Sequence, residues 1–251
     1  MAPFALDWSL MPWPRVLAYL FLSTVVLGNL ATYLRTRRGW RDGYSRKLNH
    51  FGHMAISTPL LAFLPADQLL PALVLSTIAV VIIYAASSMS RLALVNGIVA
   101  GSLRDRDAPR ARFFFFMPLI SGNIALVTAA ALFPLDAVRV AFFTVAFADG
   151  FAEPVGLRFG RNNQYTVRDF IWGGRNTKSI AGSAAVLGWA WIIAFLMLVY
   201  QGHGVSMSIA AALAFSVVTV CVEAGSPRGM DNMLLLGLCP PAFMAFSGLL
   251  T

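Results

Sequence analysis

Charge is scarce in this chain. Asp, Glu, Lys and Arg together make up 12% of the 251 residues, against 58% hydrophobic, and the mean hydropathy is +0.71. Too little polar surface remains to coat a water-soluble globule, so the composition excludes an ordinary soluble domain and points to an integral membrane protein. Cysteine is nearly absent. The two present, Cys221 and Cys239, sit inside apolar runs, which excludes a disulfide framework or a cysteine-built metal centre and predicts two buried free thiols. No low-complexity tract, internal repeat or domain boundary stands out, so a single membrane domain over residues 1–251 is expected. A charged stretch ahead of a short apolar core is also missing at the N-terminus. The first long apolar run is followed instead by arginines and reads as a retained span, not a cleaved signal. Acidic residues number 11 against 19 basic ones, a net charge of +8. In a soluble protein that excess would suggest nucleic acid. Here the basic residues fall in short clusters between apolar runs, and a lipid headgroup surface accounts for them with no nucleic-acid partner.

What is abundant is long apolar sequence. Crossing about 30 Å of hydrocarbon takes roughly 20 residues, and eight runs approach that length: Pro14 to Leu34, His50 to Leu64, Leu69 to Ser88, Phe113 to Phe133, Ala137 to Ala152, Ser179 to Tyr200, Val205 to Val222 and Asn232 to Leu250. The expected fold is therefore all-α and polytopic, with about eight transmembrane helices. With eight crossings, seventeen of the nineteen basic residues fall on one side, and only Arg15 and Arg139 on the other. By the positive-inside rule that side is cytoplasmic and both termini face outward. The opposite connections, Pro65 to Gln68, Pro134 to Asp136 and Gln201 to Gly204, are too short to carry a domain, so any chemistry belongs to the cytoplasmic surface.

Acid, base and glycine gather from Asp149 onward. On a helix Asp149, Glu153, Gly156 and Gly160 fall at i, i+4, i+7 and i+11, which puts two carboxylates and two glycines on one face. Ionisable groups at membrane depth cost several kcal/mol unless paired, which marks them as functional candidates. Gly150 adjoins the first acid, and Arg158, Arg161, Arg168, Arg175 and Lys178 follow within a short interval. Such a combination can hold magnesium and let a polyphosphate approach the backbone; Gly156 and Gly160 also fit a helix-packing G-x-x-x-G. Lys178, with Thr177 and Ser179, is expected to begin the sixth segment, where a helix N-terminus and its free amides favour an anion. The preceding Gly173-Gly174 suggests a P-loop, but Thr177 replaces the glycine that such a loop needs and no strand is expected before it.

Two further clusters complete the polar inventory. In residues 46–53, Arg46, His50 and His53 share a helix face with Lys47 beside it, and His50 could move a proton to or from an alcohol or a phosphate. Late in the chain Glu223, Asp231 and Asn232 bracket a Gly-Ser-Pro-Arg-Gly turn, where the last two could equally cap the eighth helix. Phe113 to Phe116 reads as an aromatic interface anchor.

The order of these pieces is more specific than any one of them. Arg46-Lys47-x-x-His50 comes first, then Ala148-Asp149-Gly150-x-Ala152-x-x-x-Gly156-x-x-x-Gly160, then Lys178-Ser179-x-Ala181-Gly182-Ser183, then Glu223 with Asp231-Asn232. Over roughly residues 46–235 the chain resembles the CTP-dependent lipid-alcohol kinases, the family that includes dolichol kinase, phytol kinase and a diacylglycerol kinase, and more distantly the CDP-diacylglycerol synthases. The resemblance implies a multi-helix membrane enzyme that transfers the γ-phosphate of CTP, with Mg2+, to a lipid hydroxyl, its cytoplasmic face built from 46–53, 149–183 and 223–232. Ala181 stands where many members carry glutamate, and phytol kinases look similar to this chain there, which favours an isoprenoid alcohol over diacylglycerol. Carried onto these positions, Asp149, Lys178 and His50 are the candidate catalytic residues, with His50 or one of the acids as base. Lys47, Gly150, Gly156, Gly160, Arg161, Ser179, Gly182 and Asn232 are candidates for nucleotide and phosphate binding. Asp149, Glu153, Glu223 and Asp231 are candidates for the metal.

Two other readings stay open. A cytidylyltransferase would use the same apparatus to attack the α-phosphate and release pyrophosphate, although the Ser-x-x-Lys-Arg and Lys-Asp motif of CDP-diacylglycerol synthases is absent from the last segments. A lipid or solute transporter would carry its acids near the bilayer midplane in broken helices. The expected partners are CTP and a membrane lipid alcohol, the expected location is a bacterial inner membrane, and a homo-oligomer is left open.

Overall fold

The computed structural model describes residues 8–248 and is helical apart from one small hairpin. The helices are α1 (Trp13–Arg38), α2 (Asp42–Ser57, continued by a π turn Thr58–Ala62), α3 (Ala66–Met89), α4 (Ala93–Ala100), α5 (Ala111–Leu132), α6 (Leu135–Phe159), α7 (Ile180–Tyr200), α8 (Val205–Gly225) and α9 (Asp231–Gly248). Between α6 and α7 lie β1 (Gln164–Arg168) and β2 (Arg175–Ser179), paired antiparallel. Six of the helices, α1, α3, α5, α6, α7 and α8, are long and apolar enough to cross a membrane. The chain is thus a largely α-helical, polytopic membrane protein.

The second and eighth expected crossings are helices too, but they fall outside those six. The first turns of α2 carry Asp42, Arg46, Lys47 and His50, which dilute its hydropathy. α9 opens on Asp231 and Asn232 and is followed to Gly248, so the end of the eighth expected segment lies outside the described residues. The expectation that both termini face outward concerns residues 1–7 and 249–251 and lies outside them as well. Two elements correct the sequence reading. Ala93–Ala100, expected as loop, is the helix α4, because its eight residues can be covered locally by α1 and α3. The polar interval after Gly160 is a β-hairpin, not an irregular loop.

Where the sequence shows no boundary, the chain divides into two compact units at Arg112 and Phe113. In the first unit α4 lies against α1 at a small-residue crossing. A side chain at Gly28 would run into the Ile98 backbone, and one at Gly101 into the Thr32 backbone. At the crossing the Thr32 hydroxyl donates to Gly97 O at 2.6 Å and accepts from Gly101 N at 2.6 Å. Arg35, expected only as a positive-inside residue, donates to Ala100 O at 3.1 Å and pairs with Asp105 at 2.7 Å, so it satisfies the carbonyl end of α4.

The second unit is organised by a seam between α7 and α8. α7 buries Gly182, Val186, Ala190, Ala194 and Leu198, a strict i+4 stripe, and α8 buries Ser208, Ala212, Ser216, Thr219 and Glu223 along its own. Small side chains inside let the backbones approach, while Ile192, Leu196, Leu213 and Val217 point outward. That inversion suits an exterior of hydrocarbon. Cys239 is buried as expected. Cys221 is exposed, because the stripe that turns Thr219 and Glu223 inward turns position 221 outward.

Candidate functional site

Glu223 is the last member of the buried α8 stripe, so the periodicity that packs α8 on α7 also carries a carboxylate into the interior. Lys178 reaches it from β2. Its Nζ donates to Glu223 Oε1 at 2.6 Å and also to the Glu223 carbonyl, with side-chain exposures of 18% for the lysine and 9% for the glutamate. Asp149 and Asp231 both lie within electrostatic reach of the Glu223 carboxylate. Of the candidates dispersed over residues 149–231, Lys178 and Glu223 are thus in contact, and two more carboxylates of the second unit lie within reach of their field.

Asp149 is buried and closes a π turn, Thr144–Asp149, within α6. Such widened turns occur often at functional sites. Phe147 and Phe151, two residues to either side, both stack on Trp189 of α7 at centroid distances of 5.2 and 5.3 Å, which fixes the rotation of α6 and with it the direction of Asp149. Gly150 is buried beside it, and Glu153 is half-buried one turn further on. Asp231 opens α9, where its Oδ1 accepts from Asn232 N at 3.0 Å. The Asn232 side chain faces Gly122 of α5, and its Oδ1 is buried without a hydrogen-bond partner.

Lys178 and Ser179 are placed differently from expectation. Lys178 is a strand residue, opposite Tyr165, and Ser179 is the N-cap of α7. The amides on which an anion site at that helix N-terminus would depend are already taken. Ile180 N donates to Asn163 O at 2.9 Å, Ala181 N faces Asn163 Oδ1 at 3.4 Å, and Gly182 N donates to Ser179 Oγ at 3.1 Å. Gly156, Gly160 and Gly182 all surround Ser179. A Cβ at Gly156 would come within 2.8 Å of Ser179 Oγ, and one at Gly160 within 2.5 Å of Ser179 Cβ. The geometry supports the helix-packing reading of these glycines, with the capping serine as the group they accommodate. Arg161 stays exposed in the turn that follows.

Lys47 and His50 belong to α2 of the first unit, where Lys47 is buried and His50 half-buried. Their surroundings are polar: Asn49 donates to Ser102 Oγ at 2.6 Å, and the His53 ring shares a hydrogen bond with the Tyr19 hydroxyl, with the two rings edge to face.

Compared with family models, curated proteins and solved structures, the chain shows no significant match.

Asp169 is a buried acid that the sequence reading passed over. Its Oδ1 accepts from Ile171 N at 3.1 Å and Trp172 N at 3.0 Å, and its Oδ2 from Asn176 Nδ2 at 3.0 Å and Arg228 N at 3.0 Å. Burial works to raise this carboxyl, but the hydrogen bonds from Trp172, Arg228, Asn176 and Ile171 outweigh it and hold Asp169 below the usual carboxylate range. One side chain thus closes the hairpin and ties it to the α8–α9 turn. Trp172 Nε1 adds a bond to Arg228 O at 3.0 Å, and the Arg228 guanidinium lies 4.5 Å over the Phe114 ring. The Asp169…Gly173-Gly174 spacing, an acid before two glycines, is the turn signal that could have revealed it.

Among the described residues no three His, Cys, Asp or Glu side chains are grouped closely enough to hold a metal ion by themselves. Mg2+ seldom needs such a group. It is held by one or two carboxylates, with waters and substrate phosphate oxygens completing the octahedron, and Asp149 and Asp231 can supply that many.

Proposed function

We propose that this chain is a membrane-embedded phosphotransferase that moves the γ-phosphate of CTP to the hydroxyl of a membrane lipid alcohol, an isoprenoid such as phytol or a polyprenol before diacylglycerol. The observation that carries this reading is the Lys178–Glu223 pair with Asp149 and Asp231 in its field. A cluster of both signs, with Asp149 and Glu223 buried and Lys178 and Asp231 half-buried, drawn from three helices and a strand, suits a reaction that asks mainly for positioning and charge stabilisation. The choice of CTP and of a lipid acceptor rests on the resemblance in motif order described above.

In this reading Lys178 is held ready by Glu223 and neutralises charge on the transferring phosphate. Asp149 and Asp231, with Glu153 as a further carboxylate, are the residues that would hold Mg2+, which when bound offsets the charge of the nucleotide phosphates. The acceptor oxygen attacks the γ-phosphorus, the bond to the β-phosphate oxygen breaks, CDP leaves, and one of the acids of the second unit takes the hydroxyl proton. Asn232 Oδ1, buried and without a partner, is open to a hydrogen-bond donor on the nucleotide.

We further propose eight crossings, with α2 and its π turn and α9 as the two beyond the apolar six. Residues 46–53, 149–183 and 223–232 then lie on the cytoplasmic face of a bacterial inner membrane.

The test is a screen of purified protein in lipid vesicles with CTP, ATP, GTP and UTP against phytol, polyprenol, diacylglycerol and phosphatidate. CDP and a phosphorylated alcohol are expected. Pyrophosphate and a CDP-lipid would identify cytidylyl transfer instead, and no turnover of any nucleotide would overturn both.

A further inference from the structure

The tip of the hairpin is not used by the ion-pair cluster. β1 and β2 end on Arg168 and Arg175, which stand directly opposite each other in the register. Like charges facing across an antiparallel pair repel and weaken it. Both arginines are exposed, and Asp169, the acid beside them, is buried with its two oxygens already accepting four hydrogen bonds. Beyond the arginines the loop presents Phe170 at 70% exposure, Ile171 at 46% and Trp172 at 39%. Gly173 and Gly174, at φ 75° and 83°, provide the left-handed turn that brings the chain back.

Connectivity sets where this tip sits. The hairpin joins α6 to α7, two candidate spans, so it leaves and re-enters the apolar layer at one surface. It does not stand away from that surface. Trp172 packs edge to face on Phe113, near the start of α5, at 5.3 Å and donates to the carbonyl of Arg228 in the α8–α9 turn, which keeps the tip level with the ends of the spans. An apolar tip backed by paired cations, at the level of the headgroups, matches the two chemistries of an anionic membrane interface.

We infer that the hairpin is an interfacial anchor for anionic lipid. The Arg168 and Arg175 guanidiniums take a lipid phosphate between them, relieving their mutual repulsion, while Phe170 and Ile171 enter the boundary with the acyl chains. The inference does not depend on the reaction proposed above.

The experiment is amide hydrogen exchange of the full chain in nanodiscs of phosphatidylcholine alone and of phosphatidylcholine with phosphatidylglycerol. Peptides covering 164–179 should exchange more slowly with the anionic lipid. Arg168→Gln/Arg175→Gln should lose roughly an order of magnitude of that protection, while Arg168→Lys/Arg175→Lys keeps most of it. Unchanged exchange in α7 and α8 shows that the variants are folded. Equal tip protection in the two lipids would overturn the inference, as would a Gln variant that keeps the difference. Protection reproduced by inorganic phosphate in the neutral discs would also overturn it, since the tip would then recognise a free anion and not a lipid.

Discussion

Lys178 Nζ stands 2.6 Å from Glu223 Oε1, joining a strand to a helix 45 residues later in the chain. The pair sits where β2 passes into α7 and where α8 ends, so one contact couples the hairpin to the α7–α8 seam. Removing either partner leaves a mostly buried charge uncompensated.

Lys178→Met should therefore lower stability by roughly 2–4 kcal/mol, as should Glu223→Gln to a lesser extent because its amide can still bond. Combining the two should recover part of the stability in thermal unfolding of detergent-solubilised protein, since neither charge is then stranded. Nucleotide-dependent phosphorylation should stay at least about a hundredfold below the parent in the double variant. Activity that recovered along with stability would assign the pair a purely structural role.

Asp149→Asn keeps the shape of the side chain and removes its charge. The protein should unfold at close to the parental temperature, while CTP-dependent phosphorylation of a prenol in vesicles falls by roughly a thousandfold or more. Retention of most of the activity would take Asp149 out of the mechanism.

Two glycines on neighbouring elements, Gly160 against Ser179 and Gly188 in open space, predict opposite outcomes. A methyl at Gly160 meets Ser179 Cβ at 2.5 Å, so Gly160→Ala should destabilise by roughly 1–3 kcal/mol. Gly188, inside α7, has nothing within 4 Å of an added Cβ, and Gly188→Ala should be neutral or stabilising by up to about 1 kcal/mol. Comparing unfolding midpoints of the two variants decides it; equal effects would mean that the contact with Ser179 is not tight in solution.

Asp169 gives a pH signature. Because its folded-state carboxyl is held below the ordinary value, its stabilising contribution is fully present above the unfolded-state pKa of 3.8 and is lost as pH falls through the lower folded value. Asp169→Asn sets an amide nitrogen against two donors, Asn176 Nδ2 and Arg228 N, if its oxygen keeps Ile171 N and Trp172 N. At neutral pH the variant should lose roughly 1–3 kcal/mol, and the gap to the parent should narrow only in strongly acidic buffer. A gap that closed between pH 7 and 5 would assign the effect to another group.

Hydropathy is a sum over neighbours in sequence, so the apolar runs were legible without any tertiary information, and six of them are helices able to span a membrane. The polar candidates were legible for the same reason: a lysine, a glutamate or two aspartates stand out against greasy flanks. What the residues meet was not legible. Lys178 looked like the first turn of a helix because Ser179 caps one, yet the strand pairing that makes it β depends on Tyr165 across the hairpin. Gly156 and Gly160 have the spacing of a phosphate cradle and of a packing motif alike, and only the position of Ser179 distinguishes the two. The glycines after Asp169 signal a turn but not its partners, since three of its four donors are main-chain amides, which every residue but proline possesses. Local composition thus determined that this chain enters a membrane and which polar side chains stand out against its apolar runs. Tertiary structure alone decided their partners, because an ion pair or a cap is defined by distance in space between groups that the chain keeps far apart.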